Sequence, residues 1–399
     1  MTAPVRICAV TGSRADFGLY RWVLHELNED SRFAVEVAVT GMHLSPEFGL
    51  TVRDVEAAGL PVSARVETLL SSDTGVGVAK AMALGVLGFA ERWGQAGEGG
   101  RPDLVMVLGD RFEMFAAAQT AFILRIPIVH LFGGDVTEGA FDDGLRHGIS
   151  KMAALHFTSN EVARARLIRM GEPPERVFTV GSPGLDHLHR TERLDRAGLE
   201  AALGFALKPR NVLVTFHPVT LDLTSSAQQM DEVLSALDGL GPDVGLIFTL
   251  PNADTEGRAL IARIEGFVAA HPNAIARTSL GTRNYLSALA IVDVVAGNSS
   301  SGLYEAPSFG TPTVNIGDRQ TGRLKAESVI DCPAERGAVT AAIAQAFARG
   351  RRPTVNPYGD GHSAQRIRDV LADLVDHGTN LSALVGKGFH DGVRDGRQG

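Results

Sequence analysis

The stretch from His130 to His147 concentrates ionisable side chains that are suited to acid–base chemistry. It contains four carboxylates, two histidines and an arginine: Asp135, Glu138, Asp142, Asp143, His130, His147 and Arg146. A second acidic turn, Gly109-Asp110-Arg111, lies shortly upstream, and each turn follows a short apolar run. The carboxyl ends of neighbouring parallel strands meet at one edge of a sheet, where α/β enzymes place their active sites. We therefore expect an active site here. A simpler interpretation, in which Asp142 or Asp143 caps a helix beginning near Gly144, accounts for one acid only.

Two further turns are candidates for binding phosphate. Thr11-Gly-Ser-Arg-Ala-Asp-Phe-Gly18 follows the first apolar strand and precedes a helix, although it lacks the G-x-G-x-x-G spacing of dinucleotide-binding turns. Ser299 and Ser300 precede a predicted helix, Leu303–Phe309, and offer hydroxyls beside free amides. An ordinary strand–helix turn and plain helix caps are the alternatives. Glu305 in that helix is suited to ribose hydroxyls, or to complementing the helix dipole.

His217 and Arg319 are candidates for contacting a diphosphate. His217 follows the first strand of the second half, and a histidine there can donate to a phosphate oxygen or move a proton. Taken alone, it is better explained as a half-buried histidine bonded to its own loop. Arg319 follows a later strand, and its alternative interpretation is a solvated loop arginine.

Strands and helices alternate along the chain. Predicted strands are Val5–Val10, Phe33–Thr40, Leu104–Leu108, Ile128–Leu131, Leu155–Thr158, Val177–Val180, Asn211–Phe216, Val244–Thr249, Ala274–Arg277, Val292–Ala296 and Thr313–Ile316. This pattern predicts an α/β protein with two doubly wound, Rossmann-like domains and a ligand cleft between them. We expect an N-terminal domain over residues 1–205 that carries the catalytic acids and a nucleotide-binding domain over 206–360. A helix in 361–378 is expected to cross back to the first domain, and 379–399 to form a mobile tail.

Composition excludes several classes of protein. A net charge of −8 argues against a nucleic-acid partner or an anionic membrane surface. The two cysteines, Cys8 and Cys332, form neither a disulfide framework nor a metal-ligand set. No signal peptide, membrane-spanning run, H-E-x-x-H motif or G-x-S-x-G motif stands out, so we expect a cytoplasmic protein without a bound metal.

The order of the motifs resembles one enzyme family. The motifs are Thr11-Gly-Ser-Arg-Ala-Asp-Phe-Gly, Thr40-Gly-Met-His, Gly109-Asp-Arg, His130-x-x-Gly-Gly-Asp, Asp142-Asp-x-x-Arg-His, Phe216-His-Pro-Val-Thr, Pro251-Asn, Gly297-Asn-Ser-Ser and Asp318-Arg-Gln. In this order they resemble the hydrolysing UDP-N-acetylglucosamine 2-epimerases of sialic and legionaminic acid (nonulosonate) pathways. The resemblance runs from about residue 5 to 375. It implies a glycosyltransferase-B fold and a homodimer or homotetramer.

The resemblance also implies a reaction and the residues for it. A base removes the C2 proton of the sugar while UDP leaves from C1, which gives a 2-acetamidoglucal. Water then adds to this intermediate and gives a free manno-configured sugar. The reaction needs no cofactor. Asp110 and Asp142 fall on acids for proton transfer, and Glu138, Asp135 and His147 complete the candidate catalytic set. The implied substrate or nucleotide contacts are Arg14, His43, Arg111, His130, His217, Asn252, Ser299, Ser300, Glu305 and Arg319.

Two positions depart from the family pattern. Phe132 stands where the sialic-acid branch has a catalytic glutamate. One interpretation is that Glu138 from the longer loop supplies the carboxylate. The other is that Phe132 contacts an apolar substituent such as the 6-deoxy methyl of N,N'-diacetylbacillosamine. Tyr304 stands where the family often has arginine. A non-hydrolysing epimerase, a transferase of the same fold and a nucleotide-sugar sensor without catalysis remain the alternatives.

Overall fold

The chain forms two compact units. The computed structural model describes residues 3–72, 74–95, 101–136, 142–218, 225–251 and 255–392. The first unit comprises Met1–Asp186 with Gly359–Gly399, and the second comprises His187–Tyr358. The segment 187–205, which the sequence placed in the first domain, therefore belongs to the second unit. The reason is local packing there, including a hydrogen bond from the Leu194 N–H to Ser287 Oγ at 2.8 Å.

Within the described residues, the first unit contains a parallel sheet of seven strands. They are β1 (Val5–Thr11), β2 (Phe33–Thr40), β3 (Val62–Val66), β4 (Leu104–Leu108), β5 (Ile128–Leu131), β6 (Leu155–Thr158) and β7 (Val177–Thr179). Their order is β3-β2-β1-β4-β5-β6-β7, and the paired strands run parallel. The order reverses between β1 and β4, which makes the turns after these two strands the natural ligand position.

Helices cover both faces of this sheet. They are α1 (Arg14–Asn28), α2 (Val52–Ala57), α3 (Gly75–Trp93), α4 (Phe112–Ile123), α5 (Asp142–Met152) and α6 (Glu161–Arg169). One core cluster includes buried side chains of α1, and the other includes Phe89 and Trp93, whose rings stack at 4.8 Å. Every residue of β4, β5 and β6 is buried, and β4 is apolar along its whole length, because both faces of the sheet are covered.

The second unit repeats this plan. Its described strands are β8 (Arg210–Thr215), β9 (Val244–Thr249), β10 (Ala274–Arg277), β11 (Val294–Gly297), β12 (Thr313–Ile316) and β13 (Val329–Cys332), in the parallel order β10-β9-β8-β11-β12-β13. Its helices are α7 (His187–Arg190), α8 (Arg196–Leu203), α9 (Ser226–Asp238), α10 (Thr255–Ala270), α11 (Gly281–Ile291), α12 (Ser301–Tyr304) and α13 (Arg336–Arg349). Here the order reverses between β8 and β11. The prediction of two Rossmann-like, doubly wound units is confirmed.

Three details of the secondary structure differ from the sequence prediction. Strands β3 and β13 were missed because their residues are only partly buried and show no continuous apolar run. The helix predicted over Leu303–Phe309 is instead the single turn α12 followed by a 3-10 turn, Ala306–Phe309. Pro307 lacks a backbone N–H and therefore prevents the helix from continuing. Every described helix is too short or too polar to span a bilayer.

A last helix, α14 (Ser363–Asp376), packs on the first unit. The Asp186 carboxylate accepts the backbone N–H groups of Ser363 and Ala364 at 3.0 and 2.6 Å, and so caps the start of α14. Ile367 and Leu371 are buried in the same core cluster as α1.

The residues after α14 make specific contacts, in contrast to the mobile tail that their composition predicts. Lys387 Nζ donates to the backbone oxygens of Ser150 and Ala153 at 3.1 and 2.6 Å, and to Glu172 Oε2. The His390 N–H donates to the Gly171 oxygen at 2.9 Å. A lysine with three buried acceptors explains why the segment to Gly392 is held on this unit. Residues 393–399 lie outside the described part of the chain.

Glu172 makes the stability of this unit sensitive to acid. Burial opposes its ionisation, but hydrogen bonds from His156, Lys151 and Lys387 outweigh burial and lower the pKa of Glu172 from 4.5 to about 2. Because the pKa of Glu172 is lower in the folded state than in the unfolded state, its ionised carboxylate stabilises the fold above pH 4.5. This contribution disappears as the pH falls towards 2. We expect Glu172→Gln to remove about 3 kcal/mol at pH 7 and much less at pH 2. Urea unfolding at both pH values measures this difference, and equal losses at both would contradict it.

Candidate active site

Arg146 gathers the acids at the carboxyl edge of the first sheet. Its side chain is 6% exposed and projects from α5. It donates to the carboxylate of Asp110, to Asp143 Oδ1 at 2.6 Å and to the backbone oxygen of Asp135 at 2.8 Å. One buried guanidinium therefore ties the turn after β4, the turn after β5 and α5 together. Arg146 lies in the Asp142-Asp-x-x-Arg-His motif, although its role was not assigned from the sequence.

Asp142 differs from its neighbouring acids because its carboxylate has no hydrogen-bond partner among the described residues. It is the first residue of α5, where the helix dipole favours a negative charge. It also lies near Arg111. Burial acts to lower the pKa of Arg111, but the bond to Glu113 and the charges of Glu113, Asp16 and Asp142 together raise it. A half-buried carboxylate left open beside a cation is suited to taking a proton from a substrate.

His130 and His43 were expected to line the ligand cleft, but their ring nitrogens are used inside the first unit. His130 Nε2 donates to the Gly109 oxygen at 2.8 Å, so Nδ1 accepts from Ser150 Oγ at 3.1 Å. Burial lowers the pKa of His130 to about 3, which keeps the ring neutral. His43 bonds to the hydroxyls of Thr11 and Thr51 at 3.0 and 2.8 Å, and burial lowers its pKa too. Both histidines hold turns in place.

Asp135 and His147 occupy different environments. Asp135 accepts from Ser159 Oγ at 2.9 Å and more weakly from Asn160, so its carboxylate joins the turns after β5 and β6. This arrangement favours a positioning role over proton transfer. His147 lies one residue after Arg146; burial lowers its pKa, and Nδ1 has no partner among the described residues. Glu138 and Asn252 lie outside the described residues.

The turn after β1 does not offer the amides that the sequence suggested for phosphate. Asp16 accepts the N–H groups of Gly12 and Ser13 at 2.9 and 2.8 Å, and Ser13 and Asp16 form a capping box at the start of α1. The ordinary strand–helix turn is therefore the better interpretation. Arg14, at the first position of α1, is 82% exposed and lies 3.8 Å from Asp54. It is loosely held, which leaves it available to a ligand.

In the second unit, Asn298 joins three turns and was missed from the sequence. Its side chain is fully buried; Oδ1 accepts the His217 N–H at 2.7 Å, and Nδ2 donates to the His217 oxygen at 2.8 Å. Its own backbone oxygen accepts from Gln320 at 2.7 Å and from Arg319 at 3.2 Å. Arg319 is thus anchored, in contrast to a solvated loop arginine, and burial lowers its pKa. The signal was its place in the motif Gly297-Asn-Ser-Ser.

Gly297 allows the turns after β8 and β11 to meet. Its φ of 134° lies in the region that only glycine adopts readily, and an added Cβ would stand 1.9 Å from the backbone oxygen of Thr215. The backbone contact therefore requires a glycine, and it brings His217 beside Asn298.

Ser299, Ser300 and Glu305 surround the short helix α12. Ser300 is the N-cap residue but makes no capping bond with its side chain, whereas Ser299 Oγ accepts the Ser301 N–H at 3.4 Å. Glu305, at the end of α12, is half-buried; desolvation raises the pKa of its carboxyl to about 7, and Oε2, which is itself buried, has no hydrogen-bond partner among the described residues. Tyr285 donates to Ser301 Oγ at 2.7 Å beside it. A half-buried carboxylate with an unused oxygen is suited to accepting hydrogen bonds from ligand hydroxyls.

The described residues include no group of three His, Cys, Asp or Glu side chains arranged to hold a metal ion. The acids, histidines and arginines of the two units define the chemistry that these residues can perform. In the first unit it is proton transfer, and in the second it is recognition of hydroxyls and anionic oxygens.

Comparison with known proteins identifies the family of this chain. A family described as UDP-N-acetylglucosamine 2-epimerase matches residues 25–372. The chain is 36% identical to a UDP-N,N'-diacetylbacillosamine 2-epimerase (hydrolyzing) of Legionella pneumophila, over 94% of this chain and 98% of that protein. It is 38% identical to a GDP/UDP-N,N'-diacetylbacillosamine 2-epimerase (hydrolyzing) of Campylobacter jejuni, over 82% and 84%. A crystal structure of UDP-GlcNAc 2-epimerase from Neisseria meningitidis has the same fold, with a TM-score of 0.75 at 17% identity over 92% of this chain and 100% of that one. The chain belongs to the UDP-N-acetylglucosamine 2-epimerase family.

Proposed function

We propose that the protein is a hydrolysing 2-epimerase that converts a UDP-linked 2-acetamido sugar into UDP and the free manno-configured sugar. The observation that carries this proposal is the open carboxylate of Asp142 beside the Asp110–Arg146 pair at the carboxyl edge of the first sheet. Proton abstraction next to a leaving group needs a carboxylate that is held in place but not consumed by the fold.

The first half of the proposed reaction is an elimination. Asp142 takes the proton from C2, the electron pair of that C–H bond forms the C1–C2 double bond, and the C1–O bond breaks to release UDP. Asp110 is held by Arg146 in the same cluster and is the second acid for moving protons. Water then adds its oxygen to C1 while a proton returns to C2 from the opposite face. The products are a free N-acetyl sugar and UDP, with no change in oxidation overall.

The second unit supplies groups for the nucleotide. Glu305, with its unused buried oxygen, is suited to two ribose hydroxyls. His217, Ser299, Ser300 and Arg319 provide donors for the diphosphate, whose growing charge on departure is stabilised by donors fixed beforehand. Asn298 fixes the backbone of His217 and one edge of Arg319.

The sugar is proposed to be UDP-N,N'-diacetylbacillosamine, because two relatives carry that substrate in their names and because of Phe132. Phe132 has a φ of 63°, which is costly for a bulky residue and is retained mainly where a site needs it. Its N–H bonds to the Phe157 oxygen at 3.0 Å, and its ring packs on the apolar core. An apolar residue here suits a 6-deoxy methyl group. The product would enter legionaminic-type nonulosonate synthesis, and we propose that the enzyme acts as a homo-oligomer.

Proton NMR in D2O tests the reaction and the substrate together. Purified protein is incubated with UDP-N-acetylglucosamine and, separately, with UDP-N,N'-diacetylbacillosamine. We expect UDP and a free manno-configured sugar with deuterium at C2, faster from the second substrate. UDP-N-acetylmannosamine would indicate the non-hydrolysing reaction. Intact nucleotide sugar without exchange at C2 in both tubes would contradict the proposal and favour a transferase or a sensor.

A further inference from the structure

Glu113 is a buried acid beside the proposed catalytic cluster, and its residue type and spacing did not single it out in the sequence. It lies in the first turn of α4, and its side chain is fully buried. An acid in a first helical turn complements the dipole without needing burial. Removing a carboxylate from water is costly unless it is paired, so complete burial requires a specific partner.

The partner is Arg111. Its Nε and Nη2 donate to the two oxygens of Glu113 at 3.1 and 2.7 Å, which is a bidentate pair. The Arg111 side chain is still 36% exposed, and its Nη1 donates to no group among the described residues. One edge of the guanidinium is therefore fixed by Glu113, and the other edge is presented outward near Asp142.

The turns after β1 and β2 are shaped around the Glu113 carboxylate. Gly41 has a φ of 54°, and a Cβ added there would lie 2.7 Å from Glu113 Oε1. A Cβ added at Gly12 would lie 3.5 Å from the same atom, in ordinary contact. The turn after β2 therefore requires a glycine both for its backbone and for the space that Glu113 fills. Three strand ends, those of β1, β2 and β4, converge on this one carboxylate.

We propose that Glu113 is a positioning residue that holds Arg111 with its outer edge aimed at an anionic group of the substrate, the diphosphate of a nucleotide sugar. The substrate class rests on the proposed function. An ion pair that served stability alone would be expected to bury both partners. Here only the acid is fully buried, and a third of the base stays exposed beside Asp142.

Chemical rescue separates positioning from structure. Arg111→Ala leaves a cavity in which guanidinium ion can bind to Glu113, so guanidine at concentrations that do not shift the thermal midpoint is expected to restore turnover at least severalfold. In the double variant Arg111→Ala, Glu113→Gln, the carboxylate that would bind the guanidinium ion is absent, and we expect no rescue. Glu113→Gln and Gly41→Ala alone are each expected to lower turnover about tenfold, below the 100-fold that a displacement of 1 Å can cost. Equal rescue in the single and double variants would overturn the proposal.

UDP binding, measured by calorimetry, separates this proposal from the proposed function. If the wild type turns over neither nucleotide sugar, weaker UDP binding in both Arg111→Ala and Glu113→Gln supports the Glu113 proposal alone, and unchanged binding overturns it. Glu56→Gln is the matched control, because Glu56 pairs with Arg65 at the surface of the same unit, away from these turns. It is expected to leave turnover and UDP binding unchanged.

Discussion

Replacing Asp142 by asparagine is expected to lower turnover by about 100- to 10,000-fold, the usual contribution of a general base, while UDP still binds. The amide is nearly the same size as the carboxylate but cannot take the C2 proton. The carboxylate has no hydrogen-bond partner among the described residues, so the change breaks no internal bond and the fold should be retained. Coupled detection of UDP release measures turnover, and calorimetry measures UDP binding.

The control for this prediction is Glu161→Gln. Glu161 is the first residue of α6 in the same unit and is also an acid at a helix start, but it is exposed to solvent and lies outside the acidic cluster. It should therefore retain full turnover. Near-normal turnover of Asp142→Asn would refute the assignment of Asp142 as the base and transfer that role to another acid, of which Asp110 is the first candidate.

The positions of the strands, and hence of the turns that carry the chemistry, could be predicted from the sequence. Buried parallel strands are short apolar runs, and the residues that follow them must gather at one edge of the sheet. This reasoning correctly placed Asp110, Asp142 and Glu305 at carboxyl-terminal turns or the helices after them. It did not distinguish a side chain that faces a ligand from one that faces the neighbouring turn.

That distinction depends on partners that are distant in the sequence. His130 and His43 have the residue type of a catalytic group, but both ring nitrogens of each are hydrogen-bonded to other residues of the first unit. Arg146 and Asn298 lie within the recognised motifs, yet their task of joining several turns becomes evident only when strands separated by many residues lie side by side. Glu113 lies just beyond the Gly109-Asp-Arg motif and is identified by its burial and by its bidentate pair with Arg111.

Replacing Asn298 by alanine is expected to weaken UDP binding about 100-fold and to lower the free energy of unfolding by about 3 kcal/mol, since buried groups left unsatisfied cost roughly 1 to 3 kcal/mol each. The change removes both hydrogen bonds that the Asn298 side chain makes to the backbone of His217. We expect the turn after β8 to lose its fixed position beside β11, and the His217 ring to move away from the position that we propose for contact with the diphosphate. Calorimetric titration with UDP and urea unfolding measure the two effects.

Asn273→Ala separates loss of stability from loss of the nucleotide site. Asn273 is also a buried asparagine of the second unit, and its Nδ2 donates to the backbone oxygens of Gly241 and Val244 at 3.3 and 2.7 Å. It lies just before β10, at the opposite edge of the sheet from His217, so its loss should destabilise the protein without changing UDP affinity. If both variants weaken UDP binding equally, the effect of Asn298 is general destabilisation. If only Asn298→Ala does so, the turn that Asn298 holds is part of the nucleotide site.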